Sequence, residues 1–497
     1  MILTCAEMKE VETKAFRTEV SAEALMEEAG LGIAKAIRQF FPQPGVCVLY
    51  IGKGHNGGDA LVAARHLSAW GWLVQRRHIF KREELSPLTR KKLGEADPFV
   101  QRAIHMEDIV QKQHQPLVLL DGLLGIGATG ALREPIRRFA WEMNKIRRER
   151  NAYTFAVDIP TGLDGDTGEA DSDCVVADFT VTVGFAKAGL VADDAANFVG
   201  RLVVLPLPDL RKQIAGPFSA TVATPDSLAP LLRRRLFESH KTDYGRVGIL
   251  AGSRGFTGAA IMAANGALRA GAGLVTLFVT EDIYPVIASS TAPEVMVRPI
   301  SSFGELLDSH LDVLAVGPGL GLARREELVD LIRQFPSPMV VDADGLNAIS
   351  KDVSVLQSCA SPRVLTPHPG EMARLFPTRG LTRLQAVGKF TSENPVTLLL
   401  KGSRTLIGEA GKPFSYNSTG NPGMAGGGMG DVLTGVIAAL LGQKLSPYDA
   451  ARVGAWVCGR SAESAIFESA ETEQSLTATD VIQHLGPAFR ELADRCY

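Results

Sequence analysis

Short apolar, β-branched runs recur along the whole chain, and most end in a glycine-rich or polar turn that leads into helix-like sequence. A run that is apolar at every residue suits a strand buried on both faces, which means a mostly parallel sheet covered by helices. In the first part strands are expected at 46–51, 73–80, 117–120, 153–157, 179–183 and 201–205, after two amphipathic helices expected at 7–16 and 24–41. A second series follows at 247–251, 275–279, 313–316, 339–341, 363–365 and 397–401. Between them Pro206, Pro208 and the Ala215-Gly216-Pro217 step interrupt the pattern. A chain of 497 residues is also too long for one ordinary core. The expectation is an α/β protein of two αβα domains, 1–212 and 218–497, with the boundary near 211–218.

Composition narrows the function. A net charge of −3 argues against general affinity for nucleic acid. The basic clusters at 145–150 and 233–235 are short and sit in helix-like sequence, so they read as solvated helix faces. No apolar run is long enough to span a bilayer, and the first residues lack the basic and apolar regions of a signal peptide. Six scattered cysteines form no CxxC or metal-ligand spacing. These features predict a cytoplasmic protein that acts on small molecules, with no nucleic-acid or membrane partner.

In the first half three polar stretches follow three expected strands. They are His55-Asn56-Gly57-Gly58-Asp59, then Asp121 through Gly130, then Asp158-Ile159-Pro160-Thr161-Gly162. In an open parallel sheet, ligands bind at the carboxyl ends of strands near a switch in strand order. Glycine N–H groups and a helix N-terminus suit a phosphate or pyrophosphate. Carboxylate, amide and hydroxyl oxygens suit a hard cation. Asp59 either completes the turn or caps the helix that follows.

These three stretches, in this order and spacing, resemble the YjeF-type N-terminal domain, an NAD(P)H-hydrate epimerase with a Rossmann-like fold. The resemblance covers roughly residues 5–210. His55 stands where the family has the first Asn of NNGGD. The stretch Leu25-Met26-Glu27-Glu28-Ala29-Gly30 is similar to the family's LMENAG, with Glu28 in place of Asn. The resemblance implies that Asn56, Asp121 and Thr161 hold a potassium ion, with Thr161 replacing the usual Ser. It implies that His55, Asn56, Gly57, Gly58 and Asp59, with Gly125, Ile126, Gly127, Ala128, Thr129, Gly130 and Ala131, cradle the dinucleotide. Asp158 would meet the nicotinamide end and is the candidate acid/base.

In the second half the densest signal is NPGMAGGGMGDVLTGVIAALL, residues 421–441. A glycine-rich loop runs into a good helix over 432–441, with Asp431 at or near its first turn. N–H groups around 428–430 would face an anion, and Asp431 beside a phosphate could act as general base for a hydroxyl attacking phosphorus. Further site-like loops follow other strands: 251–259, Gly317-Pro318-Gly319-Leu320-Gly321, Thr366-Pro367-His368-Pro369-Gly370-Glu371, and Lys401-Gly402-Ser403-Arg404-Thr405.

This half resembles the ribokinase-like superfamily, and within it the ADP-dependent NAD(P)H-hydrate dehydratases. GPGLG, VDADGLNAI (341–349), TPHPGEMARL (366–375) and GNPGMAGGGMGDVLTG (420–435) match in order. Gly426-Gly427 stand where the family often has Thr-Ala. The resemblance implies that Ala259, Gly319, His368 and Asp431 contact the hydrated dinucleotide. It implies that Lys401, Gly402, Ser403, Arg404, Thr405 and Gly430 hold ADP or AMP.

Together the halves resemble the bifunctional NAD(P)H-hydrate repair family. That implies an isomerase joined to a lyase, acting on NADH and NADPH hydrates (NADHX, NADPHX). The epimerase would use K+. The dehydratase would use ADP with Mg2+ and release AMP and phosphate. The family also implies a homo-oligomer. Two other readings are a ribokinase-like small-alcohol kinase and, for the first half, a non-catalytic binding domain.

Overall fold

The computed structural model describes the chain except residues 19, 78, 104–114, 129, 215, 217, 496 and 497. The residues form two compact units, Met1–Phe218 and Ser219–Tyr497.

The strands of the first unit are β1 (Ile2–Leu3), β2 (Val46–Ile51), β3 (Leu73–Arg77), β4 (Gln101–Ala103), β5 (Leu117–Gly122), β6 (Tyr153–Val157), β7 (Phe179–Val183), β8 (Ala186–Lys187) and β9 (Arg201–Leu205). One parallel sheet has the order β4-β3-β2-β5-β6-β7-β9. Its main helices are α1 (Cys5–Phe16), α2 (Ala22–Phe40), α3 (His55–Ala69), α4 (Pro87–Ala96) and α5 (Ile136–Arg150). Every residue of β2 and β5 is buried, which explains their unbroken apolar character. From β2 the chain builds outward in both directions, so the switch in strand order lies between β2 and β5.

Two boundaries differ from expectation and bear on function. β5 runs two residues further than 120, because Asp121 pairs with Tyr50 and Gly122 with Ile51. Asp121 is thus fixed on the sheet rather than in a loop. The His55–Asp59 stretch is not a turn but the opening of α3, with Gly54 as its N-cap. Asp59 therefore does not cap the helix. A separate parallel pair, β1 with β8, sets Leu3 opposite Lys187.

The second unit contains β10 (Ala220–Val222), β11 (Arg246–Leu250), β12 (Leu274–Thr280), β13 (Met296–Ile300), β14 (Val313–Val316), β15 (Met339–Val341), β16 (Arg363–Leu365), β17 (Val396–Leu400), β18 (Leu406–Gly408) and β19 (Phe414–Tyr416). Their order is β10-β19-β18-β17-β16-β15-β14-β11-β12-β13. β18 is antiparallel to both neighbours, and the other pairs are parallel. Here the order switches between β11 and β14.

The helix Met429–Gly442 lies against the helix Thr257–Arg269 at backbone distance. A Cβ on Gly435 would sit 1.9 Å from the Ala263 carbonyl oxygen, and one on Gly266 would sit 2.7 Å from that of Val432. Gly435→Ala is therefore expected to destabilise this unit by about 1–3 kcal/mol, the usual range for overpacking. Denaturant unfolding of the variant would measure it, and an unchanged midpoint would contradict so tight a crossing.

Candidate functional sites at two switch points

In the first unit the loops after β2 and β5 are joined where Gly52 N donates to Gly122 O at 2.9 Å. Several glycines here serve packing. A Cβ on Gly52 would lie 1.9 Å from Leu123 O, one on Gly57 2.4 Å from Gly52 O, and one on Gly58 2.4 Å from the Met26 methyl carbon. Gly54, Gly127 and Gly130 face open space. The Gly125–Ala131 stretch lies largely at the surface with Gly127, Ala128, Gly130 and Ala131 exposed, and Thr129 lies outside the described residues. His55 is also exposed, at the rim.

Asn56, Asp121 and Thr161 come together. Asp121 Oδ1 accepts from Thr161 Oγ1 (2.8 Å) and Leu123 N (3.2 Å), and its Oδ2 accepts from Thr161 N (2.8 Å). Thr161 Oγ1 accepts in turn from Leu124 N at 3.1 Å. Asn56 Nδ2 donates to Leu124 O (2.7 Å) and Val157 O (2.9 Å). Its amide oxygen lies 3.3 Å from where a Gly125 Cβ would be. Burial pushes the Asp121 carboxyl up to about 6, despite its hydrogen bonds to Thr161 and Leu123. Those donors are all neutral, so a small cation would supply the charge this carboxylate lacks.

Asp158 follows β6 in the left-handed region, with φ 67°. Few residues other than glycine hold that conformation, Asp and Asn most often among them. Its Oδ1 accepts from Thr182 Oγ1 and Val183 N, each at 3.1 Å, and from Lys187 Nζ. Lys187 is 1% exposed, and it also donates to Thr182 Oγ1 (3.2 Å) and Val183 O (3.0 Å). The sequence reading missed this lysine. It arrives on β8, and the β1 pairing holds that strand in register. Two further carboxyls feel this pair. Burial, then Asp158 and Glu12, raise Asp59 well above the usual range. Burial likewise raises Glu12, which extends from α1.

In the second unit the β11 and β14 loops are joined by Gly252 N to Pro318 O (2.8 Å) and Ser253 Oγ to Gly319 O (2.7 Å). Ala259 and Gly319 meet, since a Gly319 Cβ would be 3.0 Å from that of Ala259. His368 caps the helix Pro369–Leu375: its Nδ1 accepts from Gly370 N (3.0 Å) and its own N–H donates to Glu371 Oε2 (2.8 Å). The helix Met429–Gly442 starts at Gly428, whose φ of 87° suits only glycine, so its first turn carries Gly430 and Asp431. A Cβ on Gly430 would be 3.3 Å from Lys401 Nζ.

Lys401 follows β17 and donates to Asp342 Oδ1 at 2.8 Å, with Glu371 Oε2 at 3.9 Å. Burial opposes its charge, but Asp342, Glu371 and Asp431 outweigh burial and raise its pKa. Burial, then Asp342, push Asp431 up to about 6, against the pull of Lys401. Gly402 and Ser403 are exposed, Thr405 Oγ1 donates to Gly402 O (3.2 Å), and Arg404 is buried. Asp342, inside the quoted 341–349 stretch, was not singled out from sequence. Its place directly after an apolar strand was the available signal. Among the described residues no three or more His, Cys, Asp or Glu form a metal-binding group.

Each unit thus carries polar, partly buried groups at the carboxyl ends of its parallel strands, the arrangement of an α/β enzyme. A family model described as NAD(P)H-hydrate dehydratase matches residues 247–485, and one described as YjeF-related protein N-terminus matches 22–189. The bifunctional NAD(P)H-hydrate repair enzyme of Moorella thermoacetica is 36% identical, over 99% of this chain and 97% of its own length. That of Escherichia coli is 34% identical, over 93% and 88%. The ADP/ATP-dependent NAD(P)H-hydrate dehydratase from Bacillus subtilis, co-crystallised with ATP/Mg2+, is 27% identical over 56% of this chain and 98% of its own, with a TM-score of 0.48. The chain belongs to the family of bifunctional NAD(P)H-hydrate repair enzymes. It is an enzyme with an epimerase and a dehydratase activity.

Proposed function

We propose that the chain restores NADH and NADPH from their hydrates, the first unit interconverting the R and S epimers and the second dehydrating the S epimer with ADP. The carrying observation is Lys401 and Asp431 set against the glycine-lined first turn of one helix. There Asp431 takes the proton of the C6 hydroxyl as its oxygen attacks the β-phosphorus of ADP, and AMP leaves. The ring nitrogen lone pair then breaks the C6–O bond, phosphate departs, and loss of the C5 proton restores the double bond. Poor leaving hydroxide has been exchanged for phosphate. Lys401 and the N–H groups at 428–430 stabilise the charge on the transferred group. Gly402, Ser403, Thr405 and Gly430 line the nucleotide, with Arg404 buried in the same loop, and Ala259, Gly319 and His368 border the hydrated ring. Magnesium would be held mainly by the ADP phosphates and water, and would neutralise charge on the transferred group.

In the first unit Asp158, held in place by Lys187, Thr182 and Val183, assists loss of water from C6 and its return on the other face. The Gly54–Asp59 opening of α3 and the Gly125–Ala131 loop border the dinucleotide. Asn56, Asp121 and Thr161 would hold potassium, which supplies a fixed positive charge beside the ligand. We further infer a cytoplasmic homo-oligomer. The family resemblance supports this, and the five described cysteines are unpaired.

The test follows reduced-nicotinamide absorbance with mixed R and S hydrates, ADP, magnesium and potassium. Full recovery of NADH with phosphate release is expected. Accumulation of a stable phosphorylated hydrate would overturn the dehydratase reading. Exchanging potassium for tetramethylammonium should stall recovery at the S fraction, and Asp121→Asn should stall it in either salt. Recovery indifferent to both would remove the cation from the epimerase.

A further inference from the structure

The buried Asp342 has both carboxylate oxygens committed to the dehydratase machinery, although no step of the reaction uses it. Asp342 follows β15 and is 2% exposed. Its Oδ1 accepts from Lys401 Nζ at 2.8 Å, and its Oδ2 accepts from Thr434 Oγ1 at 2.9 Å. Thr434 lies one turn beyond Asp431 on the same helix face. The carboxylate thus ties the lysine at the end of β17 to the helix that carries the base. A Cβ on Gly430 would be 3.5 Å from Asp342 Oδ2, so the first turn of that helix rests directly on the pair.

The backbone around Asp342 is also constrained. Its N–H donates to Val316 O at 3.1 Å and its carbonyl accepts from Gly345 N at 2.9 Å. A Cβ on Gly317 would lie 1.9 Å from that carbonyl oxygen. The next residue, Ala343, has φ 46° and ψ −114°, a conformation that residues with a Cβ avoid. Such strain persists only where surrounding structure fixes it, and here it lies next to the aspartate that bonds Lys401.

We propose that Asp342 is a positioning residue for phosphoryl transfer: it engages Lys401 so that the ammonium faces the incoming phosphate and leaves Asp431 free to take the substrate proton. This rests on the dehydratase reading above. Five groups face this corner: Asp342 after β15, Lys401 after β17, His368 and Glu371 at the start of the helix Pro369–Leu375, and Asp431 in the first turn of the helix Met429–Gly442. Glu371 is 3.9 Å from Lys401 and 3.5 Å from His368 Nε2, and it also caps its own helix. Asp342 is therefore the carboxylate in direct hydrogen-bond contact with the lysine. When its charge is removed, the ammonium turns to Asp431, and the base is lost to an internal ion pair.

The test is Asp342→Asn in the full chain. Asparagine keeps the size and can still bond both Lys401 and Thr434, while the charge is gone. With S hydrate and ADP, kcat is expected to fall roughly 100-fold, the scale of a small misplacement of reacting groups. The acid limb of kcat/KM should move below its wild-type position near pH 6, because Asp342 helps to raise Asp431 and Lys401 lowers it. Thr434→Val removes only the helix tie, and its acid limb should stay in place. A folded Asp342→Asn protein with the wild-type kcat would overturn the proposal. So would a lower kcat with an unmoved acid limb, which is the mark of a purely structural role. A wild-type enzyme that fails to convert the hydrate would instead overturn the dehydratase reading itself.

Discussion

Asp431→Asn should lower ADP-dependent dehydration by about 10²–10⁴-fold, the usual contribution of a positioned general base. Asparagine fills the same space in the first turn of the Met429–Gly442 helix, so the glycine-lined N-terminus and Lys401 remain to bind ADP. What disappears is the acceptor for the hydroxyl proton. The wild-type pH profile carries the same message. Asp431 is pushed up to about 6, chiefly by burial. It is ionised, and therefore competent as a base, above that pH, and the rate should fall as pH drops through it. Steady-state kinetics from about pH 5 to 8 would check both points. A variant retaining more than about a tenth of the wild-type kcat would remove Asp431 from the proton transfer.

The second large effect concerns the first unit. Lys187→Met should cut interconversion of R and S hydrates by at least about 100-fold, and it should also destabilise the fold. The side chain is enclosed and its ammonium is shared among Asp158, Thr182 and Val183. Removing it strands the Asp158 charge in a buried site, which typically costs about 3–5 kcal/mol. Adding Asp158→Asn should recover much of that stability, because no unpaired charge is left, yet restore no epimerisation. A folded Lys187→Met protein that exchanges the epimers at the wild-type rate would remove the lysine from the epimerase site. Epimer exchange without ADP, read by chromatography, and urea unfolding would provide the numbers.

The central strands were legible because burial on both faces makes them almost wholly apolar or β-branched. Residues 46–51, 153–157, 179–183 and 313–316 could be read off directly. The strands that escaped notice are short or lie at an edge. β13 is mostly exposed, so its pattern carries no unbroken apolar run. β18 and β19 are three residues each, and they form the antiparallel part of an otherwise parallel sheet.

The sites divide in a similar way. Asn56, Asp121, Thr161, Lys401 and Asp431 sit beside glycines or at strand ends, where sequence marks them. Lys187 sits between two alanines in a two-residue strand. Its importance comes from Asp158, 29 residues earlier, and from a ladder with Leu3. Local periodicity records neither contact. Asp342 was within a stretch already noticed, but the alternative, Asp344, is equally polar. Asp344 Oδ2 accepts from Gly321 N at 2.8 Å and so ties two loops together. Only the geometry separates the aspartate that braces a loop from the one that holds a lysine.

The β1–β8 pair also dictates when the first site can come into being. Ile2 must find Ala186, which closes almost the whole unit into one loop. Loop-closure entropy grows with length, and contacts this distant in sequence slow folding. The ribosome releases residue 2 long before residue 187 exists. Asp158 therefore waits for its cation until Lys187 has emerged and paired with the first strand, and the epimerase centre is among the last parts of its unit to assemble.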